Sequence, residues 1–259
     1  MIRNNNAMRL SILLSLAGLL LAAPVASLAD GQAEYAKKRG WETPIQKAYH
    51  GRLLFDRLEY APGKNEDTLN YEFTGWYGGD YNRIWLKGEG EHVVDPSNGG
   101  GHLEQLDLLY GHLIAPFWDL QAGMSYELAY GPGPNRDRAS AVLGLQGLAP
   151  YWFEVDANLR LSEDGDPSAD LEAEYDWLFT QRLILQPRFE TRYAFTEVKE
   201  FGVGRGLTNV KLGLRLRYEI EREFAPYIGV SWDRKLGDTA DLAEDASRLT
   251  GLVGVRMWF

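Results

Sequence analysis

The sequence predicts an all-β fold: a transmembrane antiparallel up-and-down β-barrel of about twelve strands, following a cleaved signal peptide. Three observations carry the prediction. Long segments between Tyr151 and Phe195 alternate apolar and charged residues with a period of two. The links between such segments alternate between short and long along the chain. The amino terminus reads as a secretory leader.

The alternation is clearest in three consecutive segments. In the first, Phe153, Val155, Ala157, Leu159 and Leu161 fall on one face, and Glu154, Asp156, Asn158 and Arg160 on the other. In the second, Leu171, Ala173, Tyr175, Trp177 and Phe179 oppose Glu172, Glu174 and Asp176. In the third, Leu183, Leu185, Phe189 and Tyr193 oppose Gln186, Arg188, Glu190 and Arg192. A period of two is the side-chain repeat of a strand. These runs are also longer than the usual strand of a soluble sheet.

The leader comes first in chain order. Arg3 and Arg9 bracket a polar region, an apolar run spans Leu10 to Ala22, and Ser27-Leu28-Ala29 supplies small residues for cleavage after Ala29. The run is too short and wrongly flanked for a spanning helix. Residues 30–49 are polar, mixed in charge and without period, and read as a short periplasmic tail. The barrel is expected over 50–259.

Strands are predicted at 50–60, 68–78, 81–91, 103–114, 118–130, 138–148, 151–162, 168–179, 182–195, 207–221, 224–235 and 247–259. The short links are Gly79-Asp80, Pro116-Phe117, Ala149-Pro150, Gln181 and Arg222-Glu223. The longer ones are 61–67, 92–102, 131–137, 163–167, 196–206 and 236–246. Outer-membrane barrels place short turns at the periplasm and long loops outside. Ala115-Pro116-Phe117-Trp118 and Ala149-Pro150-Tyr151-Trp152 are near repeats, and Phe224-Ala225-Pro226-Tyr227 rhymes with them. Aromatics there suit the inner interfacial girdle. Leu120, Ala122, Met124, Tyr126 and Leu128, and Leu212, Leu214, Leu216, Tyr218 and Ile220, are expected to face lipid. Lys211, Arg215, Arg217, Glu219, Glu72, Lys87 and Glu89 are expected in the lumen. The strands at 50–60 and 81–91 alternate less cleanly, and the pattern assigns their faces no sides. The final strand ends Val253, Val255, Met257 and Phe259 on one face.

Composition narrows the function. There are 27 basic and 37 acidic residues, a formal charge of −10, so no basic patch dominates and nucleic acid is not an expected partner. Cysteine is absent, which removes disulfides, thiol nucleophiles and Cys-type zinc sites. An enzymatic barrel of the phospholipase kind needs a serine held by histidine. None of the four histidines has a serine two residues on, so the chain is not expected to be an enzyme.

The chain also resembles the copper resistance protein B family of Gram-negative outer membranes. The matching residues are Gly78-Gly79-Asp80-Tyr81-Asn82-Arg83 with Trp85-Leu86-Lys87, then Ala115-Pro116-Phe117-Trp118-Asp119-Leu120-Gln121 and Gly131-Pro132-Gly133-Pro134. Gly147-Leu148-Ala149-Pro150-Tyr151-Trp152-Phe153, Leu171-Glu172-Ala173-Glu174-Tyr175-Asp176 and Thr180-Gln181-Arg182-Leu183-Ile184-Leu185-Gln186-Pro187 continue it. Leu214-Arg215-Leu216-Arg217-Tyr218-Glu219-Ile220 and Glu223-Phe224-Ala225-Pro226-Tyr227 complete it over about 50–259. The resemblance implies an outer-membrane location and a role in copper homeostasis or resistance, by copper binding or passage. It also implies copper as the bound ion and a periplasmic multicopper oxidase as a partner. Many members carry a Met- and His-rich segment before the barrel. Here residues 30–49 hold no Met and no His. The mature chain has only Met124, Met257, His50, His92, His102 and His112. Storage of many copper ions in the tail is therefore not expected.

Two sets of residues are candidates for function. His92 and His102 flank the loop between the third and fourth strands and are expected to approach each other across it, with Asp95 as an oxygen donor. Imidazole and carboxylate suit copper. The bland alternative is a pair of solvated loop histidines. Glu154, Asp156, Glu172, Glu174 and Asp176 would attract cations, or serve as structural partners of Arg160, Arg188, Arg192, Arg215 and Arg217. A general small-solute porin and a purely structural barrel are the alternatives to copper handling.

Overall fold

The computed structural model describes residues 49–63, 66–94, 99–131, 135–243 and 245–259. The expected signal peptide at 1–29, all but Tyr49 of the expected tail at 30–49, and Asp95 lie outside the described residues.

The strands are β1 (His50–Ala61), β2 (Asp67–Gly78), β3 (Asn82–Val94), β4 (Gly101–Ala115), β5 (Trp118–Tyr130), β6 (Arg136–Ala149), β7 (Phe153–Ser162), β8 (Pro167–Glu174), β9 (Trp177–Leu178), β10 (Leu183–Ala194), β11 (Gly206–Tyr218), β12 (Phe224–Lys235) and β13 (Ser247–Trp258). All pairings are antiparallel between chain neighbours, and β13 returns to β1 to close the barrel. β8 and β9 are one stave. Both pair with β10 in unbroken register, Glu174 opposite Arg188 and Trp177 opposite Leu185. The barrel therefore has the twelve staves expected. The break at Tyr175-Asp176 has a local cause. The Tyr175 N–H donates to the Pro187 carbonyl at 3.2 Å, but proline has no N–H to donate in return.

The wall is apolar outside and polar inside. Ile84, Leu108, Leu143, Leu159, Leu212 and Ile228 are exposed on the exterior, whereas Arg57, Glu59, Asp107, Arg188, Arg215 and Arg217 are buried in the lumen. A soluble protein does not display so continuous an apolar surface. A bilayer requires it, together with a closed ladder that satisfies every stave's backbone.

The two strands with unclear alternation have separate explanations. In β1, Phe55 faces Phe73 and Arg57 faces Glu72, so Asp56 is an extra residue. This bulge shifts the phase of the strand. Asp56 and Arg57, adjacent in sequence, are therefore both buried. In β3, the exterior positions include Gly88 and Gly90. A Cβ there would lie 2.4 Å from the Phe73 ring and 2.6 Å from the Tyr71 hydroxyl, respectively. The neighbouring β2 aromatics cover these glycines and supply the apolar surface that β3 lacks.

The hairpin of β3 and β4 extends beyond both expected strand ends, and β11 stops at Tyr218 rather than at 221. Phe117 and Tyr151 both have φ 68°, so the repeated Ala-Pro-aromatic-Trp segments form turns with a left-handed aromatic at the same place. The third rhyme does not. Ala225 and Pro226 lie within β12, paired with Arg256 and Val255. At the opposite end, the links 195–205 and 236–243 meet. A short helix, α1 (Gly237–Asp241), presents Thr239, whose Oγ1 accepts from the Gly204 N–H at 2.9 Å.

Candidate functional site: the charged lumen

Inward positions of the staves project a network of ion pairs across the barrel. Arg188 on β10 is its centre. Its guanidinium lies 2.8 Å from Glu72, 2.8 Å from Glu172, 2.6 Å from Glu174, 2.6 Å from Glu190 and 3.7 Å from Asp56. Arg57 shares the cluster, at 2.5 Å from both Glu72 and Glu89 and 3.4 Å from Glu190. Arg160 bonds Asp107 at 2.9 Å and Asp170 at 2.7 Å, with Gln105 and Ser125 accepting its remaining N–H groups. Arg215 meets Glu59 at 2.6 Å, and the Tyr227 hydroxyl donates to the same carboxylate at 3.0 Å. Arg217 pairs with Asp176, and Arg256 with Asp56. Burying charge in this way is favourable only when each cation is surrounded by acceptors. Of the expected partnerships, Arg188 pairs with Glu172 and Glu174 and Arg217 with Asp176, whereas Arg160 and Arg215 take Asp107, Asp170 and Glu59 instead. Arg192 makes no such direct pair among the described residues.

Two larger cavities lie in the lumen among the described residues. The inner one, about 350 Å³, lies toward the end with the short turns and is lined by Arg52, Trp85, Asp119, Glu154, Glu174 and Arg256 among others. The outer one, about 370 Å³, lies under the longer loops and includes Glu91, His102, Glu104, Arg192, Lys211 and Asp233 in its wall. Acids outnumber bases in both. A small apolar patch of Trp85, Leu109 and Val142, with Trp76 packed against it, adjoins the inner cavity, whose wall includes both tryptophans.

The hairpin register separates the two candidate histidines. Glu91 stands opposite His102, and His92 opposite Gly101. Adjacent positions point to opposite faces. His102 therefore faces the lumen, where its Nε2 lies 2.9 Å from Glu127. His92 faces outward and stacks on Tyr130, with Nδ1 3.1 Å from the Tyr130 hydroxyl. The expected approach of the two imidazoles across the hairpin does not occur. No group of three or more His, Asp or Glu residues has the arrangement of a metal site among the described residues. His112 bonds Asn82 at 2.7 Å near the short-turn end, away from the outer mouth.

Sequence reasoning missed Asp56, Arg57, Glu59, Asp107 and Arg256 as lumenal groups. The adjacent charges Asp56-Arg57 inside an apolar strand were the available signal for the bulge. Asp107, alone among Leu103, Leu106, Leu108 and Leu109, was the signal for an inward position on β4.

Known proteins agree with this architecture. The Escherichia coli copper resistance protein B is 41% identical over 240 residues, covering 91% of this chain and 78% of that protein. A copper resistance protein B homolog from Pseudomonas syringae pv. tomato is 36% identical over 240 residues, 91% of this chain and 79% of its own. Among solved structures, the NanC porin superposes with a TM-score of 0.52 at 12% identity, over 80% of this chain and 99% of that one, which speaks to the fold alone. A closed barrel with twelve staves, an apolar exterior and a polar lumen is built for the Gram-negative outer membrane, and that is its location. The family described as copper resistance protein B precursor (CopB) matches residues 49–259, the whole barrel, and the chain belongs to that family.

Proposed function

We propose that this barrel serves copper resistance by passing copper ions along its lumen, with transient binding at the walls, rather than by storing them. The observation that carries the reading is the acidic outer cavity, where Glu89, Glu91, Glu104, Glu190 and Asp233 surround the few cations. Carboxylates spread along a wet wall attract a cation without chelating it, and a transported ion must be able to leave. His102 is the one histidine lining either cavity among the described residues, so it is the imidazole an incoming copper ion meets. Its carboxylate neighbour Glu127 already holds one ring nitrogen. The family resemblance supports a periplasmic multicopper oxidase as the partner at the inner end.

The barrel is proposed to perform no enzymatic chemistry. Among the described residues, His92, His102 and His112 bond Tyr130, Glu127 and Asn82, and none of these bonds is to the serine hydroxyl that a nucleophile's base must reach. The decisive experiment is growth of a deletion strain in copper, with cellular and periplasmic copper measured, and complementation by the wild type and by His102→Ala. A deletion strain with unchanged tolerance and unchanged copper content refutes the copper role. A salt-dependent conductance indifferent to copper would instead favour a general small-solute porin.

A further inference from the structure

Four side chains line both cavities: Lys87, Gln105, Asp156 and Glu172. They form the partition between the inner and outer chambers. Three of the four are tied to the wall by other groups. Gln105 accepts from Arg160 at 2.7 Å and donates to Glu89 at 3.3 Å. Glu172 is held by Arg188 at 2.8 Å. Asp156 accepts from the Asn158 amide at 3.0 Å. Lys87 is different. Its ammonium reaches 2.5 Å from Asp156, and that is its one ion pair or hydrogen bond among the described residues, beside a looser approach to the Trp85 ring at 5.9 Å. β3 and β7 are separated by three intervening strands, so this pair crosses the lumen rather than running along the wall.

We infer that the Lys87–Asp156 ion pair is the gate between the two chambers, and that Lys87 is its moving part. A lysine is a compact charge on a flexible four-carbon stem, unlike the planar, multiply bonded Arg188 and Arg160. Breaking one contact frees it, whereas freeing either arginine means breaking several. With Lys87 withdrawn, the partition is left with Asp156, Glu172 and the Gln105 amide, which is an acidic constriction. Such a ring admits cations in preference to anions. The Lys87 ammonium thus stands where a passing cation would stand, and an arriving cation competes with it for Asp156.

The cargo in this inference rests on the copper-passage reading above, but the gate itself is tested without copper. The full barrel, purified and reconstituted in planar bilayers in potassium chloride, is compared with Lys87→Met, Lys87→Arg and Asp156→Asn. Folding of each is confirmed by its faster gel mobility before heating. Lys87→Met is expected to raise conductance at least threefold and to increase cation over anion permeability. Asp156→Asn is expected to raise conductance as well, because it also frees Lys87, but with weaker preference for cations. Lys87→Arg is expected to stay near the wild-type value. Wild-type conductance in folded Lys87→Met and in folded Asp156→Asn overturns the gate, and either variant suffices if the other fails to fold. Copper entry into vesicles containing Lys87→Met is then measured separately. Raised potassium conductance without copper entry sinks the passage reading and leaves the gate standing.

Discussion

Replacing Arg188 by methionine is the sharpest test of how this lumen is held together. Arg188 is only 3% exposed and lies within 3 Å of four carboxylates, those of Glu72, Glu172, Glu174 and Glu190. Removing one partner of a buried ion pair costs about 3–5 kcal/mol, because the other charge is left without compensation. Here Arg57 still serves Glu72 and Glu190. Glu174 keeps only the Gln186 amide, at 2.8 Å, and Glu172 loses its one ion pair among the described residues. The expected loss is therefore about 3–5 kcal/mol rather than a multiple of it. Glu174→Gln should behave oppositely. It removes one of several acids around a cation that keeps the rest, and the Gln186 amide can still donate to the new side-chain carbonyl. The expected loss is about 1 kcal/mol, that of a hydrogen bond. Combining the two changes should restore stability relative to Arg188→Met alone, with a coupling of about 0.5–3 kcal/mol. Urea unfolding of the barrel in lipid vesicles, followed by tryptophan fluorescence, measures all three. Equal losses in the two single variants, or strict additivity in the double, would show that the lumenal charges act independently and that the network has no centre.

Three further outcomes follow from the geometry. The mature protein should begin near Asp30 and fractionate with the outer membrane as a heat-modifiable band, and recovery in the soluble periplasm would defeat the barrel. Deleting Phe259 should lower the yield of folded barrel in membranes without changing synthesis. Its N–H donates to the Leu53 carbonyl at 2.8 Å and its carbonyl accepts from the Leu53 N–H at 3.0 Å, which is where the last stave meets the first; normal levels of the truncated protein would show closure does not need it. Gly88→Val should destabilise by about 1–3 kcal/mol through overpacking, since even a Cβ there falls 2.4 Å from the Phe73 ring. Gly251→Val, where a Cβ meets nothing within 4 Å, is the control and should be near neutral in the same unfolding assay.

Strand number, closure and inside-out polarity were legible because they follow from a period of two repeated over many residues. A single shift in phase is harder to read. At Asp56 one extra residue moves Arg57, Glu59 and Ala61 to the lumen, and the local pattern then resembles noise rather than a strand with a bulge. At Gly88 and Gly90 the exterior is apolar because of Phe73 and Tyr71 on another strand, which no single-strand pattern can show. The Phe224-Ala225-Pro226-Tyr227 segment misled for a related reason. It shares the letters of a turn, but Tyr227 points inward to Glu59 and the chain reverses just before it, with Glu221 bridged to Phe224.

The candidate histidines illustrate the same limit at the level of function. Sequence placed His92 and His102 at the two ends of one hairpin, and that placement is right. Whether they meet depends on the parity of the register. The shift between Glu89 and Gly90 sets Glu91, not His92, opposite His102. One imidazole therefore enters an acidic chamber while the other packs on Tyr130 outside. The residues that divide the lumen were visible as types, since Asp156 and Glu172 lie on charged faces of alternating strands and Lys87 is an expected lumenal charge. Their convergence was not visible, because Lys87 and Asp156 come from staves four apart and meet only across a closed barrel of this diameter. Closure thus turns charges that look interchangeable along the chain into unequal ones. Arg188 holds several staves together through its carboxylates, whereas Lys87 holds one contact and is free to release it.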